Sequence, residues 1–456
     1  MHTYRYIARF KIEADTPLFV GSGQASLLKD AIVQKDCNGF PMINGTTLTG
    51  VLRHSLILNE WTDRIFGFAK EDKGQGSLLK VSSAYIILDN GKVSEELLEE
   101  SQISNELISR FENLPSRQHV RITDKGVATD KGLFDNEVVY KGVRFVFEIE
   151  LRGTKDDIDA WQRVVNQVKS PNFRLGSGTR NGYGSLKVIS LFEQVYNLQD
   201  KSDFDAYIQF RPSFNSAIEY KTVKDSNSKD DNFVSYSLKL QPDSFFVFSE
   251  GFGDDEADNR PLEEEIMIYK DGLIDFERQT VIPASSIKGA ISHRVAYHYN
   301  KLKNQFVDNG EGTIGVDNQA VSLLFGQAGQ DNSDKAIDAK AGNVFINDLY
   351  YSKNQIDNSK ILNHVAIDRF TGGAMDSALF SEKVSRLKSG GFDFDIFVSK
   401  SVLENDSNVK QALENTLIDI CKGLLPLGGM TTKGHGIFTG SLISEGEELF
   451  NYSKQK

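Results

Sequence analysis

The chain is poor in the residues that would place it in several common classes. It has two cysteines, Cys37 and Cys421, far apart and in no CxxC pair, so neither a disulfide framework nor a cysteine zinc site is expected. No apolar run approaches the ~18 residues needed to span a bilayer. The first ten residues, Met1 to Phe10, alternate like a strand and lack the apolar core of a signal peptide. These absences together point to a cytoplasmic protein. Positive charge is also short: the formal net charge is −12, against a generic basic nucleic-acid binder. A local basic or glycine-rich surface is still compatible with that total. Hydrophobic content of 39% and charged content of 25% are ordinary for a globular protein.

What the sequence does have is repetition. Pro41-Met42-Ile43-Asn44-Gly45-Thr46-Thr47-Leu48-Thr49-Gly50 finds an echo in Val281-Ile282-Pro283-Ala284-Ser285-Ser286-Ile287-Lys288-Gly289. Leu175-Gly176-Ser177-Gly178-Thr179-Arg180-Asn181-Gly182-Tyr183-Gly184 is echoed by Leu427-Gly428-Gly429-Met430-Thr431-Thr432-Lys433-Gly434-His435-Gly436. Ile65-Phe66-Gly67 returns as Leu324-Phe325-Gly326. Motifs that recur in the same order imply a duplicated domain. We therefore expect a first module over 1–195, a polar linker over 196–233 and a second module over 234–456.

Period-two alternation predicts strands over 7–13, 81–88, 145–151 and 184–191, and helices are expected over 47–66 and 155–169. Thr46 or Thr47 can cap the first helix. Strand, helix, strands, helix, strand is the order of a ferredoxin-like unit. The fold class expected is α+β, two ferredoxin-like modules in tandem. Two insertions interrupt the second: the acidic Asp254–Asp258 stretch with Glu263-Glu264-Glu265, and 327–341.

These residues resemble the RAMP superfamily of CRISPR proteins, and most closely the repeated backbone subunit of type III Csm/Cmr complexes. The resemblance rests first on Asp30-Ala31-Ile32-Val33-Gln34-Lys35-Asp36, then Gly39-Phe40-Pro41 and the Gly-Thr-Thr-Leu-Thr-Gly helix start. The second copy is closest at Pro283-Ala284-Ser285-Ser286-Ile287-Lys288-Gly289. Val365 to Ala374, with Leu379-Phe380 and Glu382, resembles the family's thumb segment; Val120 to Asp124, with Gly132 to Glu137, is a degenerate version. The resemblance implies two RRM-like modules with inserted loops and thumb hairpins near a guide–target duplex.

Each candidate residue has a functional and a plain reading. Thr46, Thr47, Ser285 and Ser286 open helix N-termini that suit a phosphate, or they merely cap. Lys288 adds charge beside the second pair. Arg53, His54, His293 and Arg294 follow on the helices and either reach RNA or are solvated. In the glycine-rich loops Arg180 and Lys433 offer charge, and Tyr183 or His435 a ring for a base; the alternative is a packed turn. Arg369 can bind a phosphate or pair with Asp368 within the hairpin.

Asp30 stands where the resemblance puts an aspartate needed for target-RNA cleavage, holding Mg²⁺ or another divalent metal or orienting the 2′-hydroxyl. Counting back six residues from Asp271 makes Glu265 its counterpart in the second copy. The resemblance thus implies a metal-dependent endoribonuclease inside a ribonucleoprotein. Its partners would be guide RNA, complementary target RNA, other RAMP subunits and a large signalling subunit. The alternatives are a non-catalytic guide-binding subunit and a guide-maturing endonuclease.

Overall fold

The computed structural model describes residues 2–24, 31–56, 60–70, 73–99, 104–122, 128–223, 230–327, 330–332, 335–337 and 339–454. Two antiparallel sheets divide them. The first contains β1 (Tyr4–Ala14), β2 (Leu79–Val81), β3 (Arg144–Gly153) and β4 (Leu186–Asn197), with α1 (Gly45–Ser55) after β1 and α2 (Ile158–Val168) after β3. Its strand order is β4-β1-β3-β2. The second contains β5 (Phe233–Pro242), β6 (Val344–Ile346), β7 (Phe392–Ser399) and β8 (Phe438–Ser444), with α3 (Ala284–Leu302) and α4 (Ser407–Cys421) in the matching places. Its order is β8-β5-β7-β6. The duplication read from the motifs is therefore a duplication of topology.

The helix expected over 47–66 is two helices. α1 starts earlier, at Gly45, and a second runs Glu60–Phe66. Its N-cap is Asn44, whose side chain makes no capping bond, so Thr46 and Thr47 lie inside the first turn rather than capping it. The strand expected over 81–88 is likewise broken into Leu79–Val81 and Tyr85–Ile86.

The two sheets differ in what covers their outer faces. In β7 Phe392, Phe394, Ile396 and Val398 are buried while Asp393 and Asp395 are exposed. That is the pattern of a sheet with one wet face. In β1 the residues Tyr6 to Phe10 are buried on both faces. The cause is the segment expected to be a linker. It forms a helix, Lys201–Gln209, then folds back over the sheet, and Lys221–Thr222 joins β4 as an edge strand. Arg9, fully buried, donates to the carbonyls of Arg211, Pro212 and Ser213 and pairs with Glu148. Those bonds satisfy a guanidinium that burial would otherwise penalise heavily.

The modules are joined by an arm. The hairpin Glu263–Lys270 and Leu273–Ile282 belongs to the second module but inserts Met267 into the first module's core. Met267 N–H donates to Lys141 O (2.8 Å), and Phe276 packs edge-on against Tyr140 (5.2 Å). Gly142, at φ +92°, lies so close to the Met267 carbonyl that a Cβ there would overlap it.

Candidate nucleic-acid interface

Beside the arm, Arg117 from the first thumb hairpin (Ser116–Ile122 with Ala128–Glu137) crosses to the second module. Its guanidinium pairs with Asp348 and Glu264 and bonds Tyr350 Oη (3.0 Å). Burial disfavours its charge, and Asp348 and Glu264 overcome that, holding it well above the usual arginine range. Asp348 is buried and also accepts from Ala284 N–H (2.7 Å), capping α3. Gly182, at φ +104°, leaves room for that carboxylate: a Cβ would lie 2.2 Å from Asp348 Oδ1. The first module's glycine loop thus sits against the second module's helix start.

Both glycine loops are clamped in the same way. Ser177 N–H donates to Phe19 O (2.8 Å) and Gly184 N–H to Pro17 O (2.9 Å). Gly429 N–H donates to Val247 O (2.7 Å) and Gly436 N–H to Phe245 O (2.9 Å). Each clamp strand also bridges its own thumb, Leu18 with Val139 and Phe246 with Ser385. Glycine loop and thumb base therefore meet in each copy, whereas the helix start that meets the first glycine loop is the second module's, at Ala284.

At the junction lies an open groove of about 1440 Å³. Ser285, Ser286, Lys288 and His293 line it from α3, Asn181 from the first glycine loop, and Gly428 and Thr431 from the second. Its other cations are committed: Arg117 to Glu264, Arg278 to Glu263 (3.3 Å) and Lys141 to Asp15 (3.1 Å). Lys288 instead bonds the neutral Asn181 Oδ1 (3.1 Å). Burial, then nearby Arg180, draw its ammonium below the ordinary lysine range. An anion arriving there would relieve both effects.

Other expected residues are placed differently. Arg53 is bound to Asp63 (2.9 Å) and the Gly67 carbonyl (2.9 Å). Arg294 pairs with Asp419 (2.6 Å) on α4. Tyr183 is 1% exposed beneath the Arg117 guanidinium (4.9 Å), so it is no stacking platform. Arg180 lies half-buried in the junction, over the Phe345 ring (4.6 Å) and donating to Gly342 O (3.1 Å). His435 is buried against Glu382 (3.3 Å). His54, Thr46 and Lys433 are exposed. Arg369 is exposed at the second thumb's tip; Asp368 caps the tip's own Phe370 and Thr371 N–H groups (both 2.8 Å) instead of pairing with it. That thumb, Ile356–Ile367 with Ala374–Leu387, also carries Phe370 at 99% exposure.

Asp30 lies outside the described residues, but its flanks identify its counterpart. Ser22 N–H donates to Ile32 O (2.9 Å) and Gln34 N–H to Val20 O (2.8 Å). The matching bonds are Glu250 N–H to Arg260 O (3.1 Å) and Leu262 N–H to Phe248 O (2.7 Å). Each partner in the second set stands 228 residues after its equivalent. The same step carries Asp30 to Asp258, not to Glu265. Glu265 sits on the arm and pairs with Arg110 of the first module. Asp258 is exposed, and its Oδ2 accepts from Ser381 N–H (2.7 Å) and Oγ (2.9 Å). Those bonds hold its carboxyl below the usual carboxylate range.

Two further features gave no sequence signal. Arg174 is 4% exposed, and none of its guanidinium nitrogens has a hydrogen-bond partner among the described residues; it stacks on Phe345 (5.0 Å), and burial pushes its pKa down to about 10. The Arg117 network has no motif because its members, Arg117, Glu264 and the Asp348–Tyr350 pair, come from three distant segments.

A profile of the RAMP superfamily matches residues 11–187 and 271–439, well over half of the chain and one segment per module. The chain belongs to the RAMP superfamily. RAMP proteins bind CRISPR RNA, and the family includes nucleases. No individual curated protein matches this RAMP chain. No helix among its described residues is long and apolar enough to cross a membrane.

Proposed function

We propose that this chain supplies two consecutive segments of the guide-RNA-binding backbone of a type III CRISPR effector and cuts complementary target RNA within it. The strand order, read as fourth-first-third-second in each module, supports ferredoxin-like, RRM-like units. Neither sheet face serves as an RRM-style stacking surface: one is covered by the 198–223 segment, the other presents Asp393 and Asp395. RNA is held instead at the helix starts and glycine loops.

The observation that carries this reading is Lys288. It is the groove's lysine without a carboxylate partner among the described residues, and it stands beside Ser285 and Ser286 at a helix N-terminus. That arrangement recognises backbone phosphate, leaving sequence choice to base pairing. The thumbs, with Phe370 and Arg369 at one tip, contact the paired target. Other RAMP subunits and a large signalling subunit complete the assembly.

Cleavage is assigned to Asp30 and Asp258. Among the described residues no cluster of three His, Cys, Asp or Glu can hold a metal. A divalent ion such as Mg²⁺ would therefore be held by one carboxylate, phosphate oxygens and water, a donor set that suits it. Bound there, it would stabilise charge on the phosphate during attack by the 2′-hydroxyl. The test is to isolate the complex, sequence its RNA and map cuts in a complementary target. Small guide RNA and two cuts, one lost in Asp30→Ala and the other in Asp258→Ala, are expected. Cuts that survive both substitutions would leave the chain a structural guide binder; cleavage of precursor guide RNA by the isolated chain would make it a maturation enzyme.

A further inference from the structure

The joint between the modules rests on two glycines of the first. The Met267 carbonyl lies against Gly142 (φ +92°), and the Asp348 carboxylate at the start of α3 lies against Gly182 (φ +104°). The second module repeats both glycines. Its turn before β7, one residue longer from Ser385 to Phe392 than from Val139 to Phe145, holds Gly390 at φ +78°. Its glycine loop holds Gly434 at φ +91°, two residues before the clamped Gly436, as Gly182 stands before Gly184. In the first module both positions also need the missing side chain, because another module sits there. In the second, both glycines are exposed, and among the described residues nothing lies within 4 Å of a Cβ built on either. The second module thus carries an open copy of the face that, on the first, receives a neighbour.

We propose that Gly390 and Gly434 mark a docking face for a further RAMP module, one that belongs to another chain and carries its own arm. This deepens the backbone reading above and rests on it. The face continues an interface the chain already builds within itself. A second copy of this chain could offer only its first module, since the second module's arm and α3 start are already engaged. That first module has eleven fewer residues where the arm forms, a stub closed by the Lys35–Pro41 bridge, so it has no hairpin to lay over Gly390. Charge narrows the partner further. Leu362 stands where the first module has Arg117: each pairs across its thumb with the residue three before the clamp bridge, Glu382 and Asn136. Lys433 stands where the first loop has Asn181, just before the second glycine. In the internal joint Arg117 meets Asp348, and Asn181 meets Lys288 (3.1 Å). A module bringing that same pair here would set a carboxylate against leucine, where burial demands a cation, and a lysine against lysine. The partner that fits has a neutral side chain at its helix start and a hydrogen-bond acceptor one turn on.

The experiment titrates the full chain with each RAMP subunit that copurifies with it, purified singly. Gly390→Asn puts a side chain into the face, and asparagine tolerates the left-handed backbone. An unchanged thermal melt checks the fold. The variant should weaken one subunit about tenfold or more, and Gly434→Asn the same subunit. Gly446→Asn, at an equally open glycine (φ +89°) in the turn after β8, should weaken none. The affected subunit should carry an arm-length insertion before its helix start and no carboxylate at the position aligned with Asp348. Affinities indifferent to Gly390→Asn overturn the proposal. So does an affected subunit that lacks the arm or has the carboxylate. If the wild-type chain alone sediments as dimers or longer rows that Gly390→Asn disperses, the occupant is a second copy and the choice of partner fails. A wild-type chain that copurifies with no RAMP subunit would sink the backbone reading itself, a distinguishable result.

Discussion

The two modules share a fold and differ where they meet other things. At the helix start the first module has Ser83, whose hydroxyl accepts from Gly45 N–H (3.2 Å); the second has Asp348 doing the same for Ala284. One turn on, Thr49 bonds back to the Gly45 carbonyl (2.7 Å), whereas Lys288 faces the groove. Before the last loop glycine the first module buries Tyr183, and the second His435. The face of each module turned toward its sister carries charge matched to that sister, and the outward faces do not repeat it. Duplication supplied the scaffold, and the junction then specialised.

Breaking the junction should have the largest effect. Arg117→Met removes the cation from between Asp348 and Glu264, leaving two carboxylates without it in a largely buried site. Breaking a buried pair from one side costs about 3–5 kcal/mol. Chemical denaturation should show a loss of that order. Tyr350→Phe, which removes only a peripheral hydroxyl, should cost about 1 kcal/mol. Equal, small losses for the two variants would show that the network does not hold the modules together.

The next comparison separates Asp258 from Glu265. Asp258→Ala should reduce one cut by about 100-fold or more, the scale of a lost acid–base group, with guide binding intact. Glu265→Ala should leave both cuts in place, because its partner is Arg110. Reversal of these results would restore Glu265 as the second catalytic residue.

Lys288 and Thr49 allow a finer test. Lys288→Gln should weaken guide binding uniformly across sequences and flatten its salt dependence by about one unit. Thr49→Lys should steepen it. Arg53→Gln should do neither, since that guanidinium is already satisfied by Asp63 and Gly67. An Arg53→Gln change as large as that of Lys288→Gln would mean the ion pair opens for RNA.

Much of this was legible in the residues. Ordered motifs gave the duplication and the two modules; that the first glycine loop meets the helix start of the other module was not among their signals. What failed was register. The second module carries eleven more residues between Arg260 and Ile282 than the first does between Ile32 and Ile43, and they extend the arm. Counting back from Asp271 crossed that insertion; counting back six from Glu264, as from Asp36, reaches Asp258. Side-chain direction was the other gap. An arginine on a helix reads the same whether it faces a phosphate, as was expected of Arg294, or an aspartate such as Asp419 on another helix. The buried Glu382–His435 contact is invisible for the same reason: the carboxylate comes from a hairpin strand and the ring from a loop 53 residues on.

The smallest expected difference concerns acid. α2 begins after Thr154 and Asp157, a reciprocal capping box, and Asp157 also pairs with Arg64. α4 follows its N-cap Asp406, whose carboxylate accepts from Asn408 N–H (2.9 Å) and from the Tyr299 hydroxyl (3.2 Å). Although burial raises it, Asp157 is held net below the usual carboxylate range by Arg64 and Thr154. A carboxyl depressed on folding contributes stability that is complete above its unfolded pKa, about 3.9, and is lost as pH falls through the folded value. Asp157→Asn should therefore cost about 1 kcal/mol at neutral pH, the scale of a lost cap. The gap between variant and wild type should close as pH drops below about 4, by thermal melts in dilute buffer. Asp406→Asn keeps a capping oxygen and loses no ion pair, so it should change stability little at any pH. A gap for Asp157→Asn that stays constant into acid would mean the contribution is geometric and owes nothing to charge.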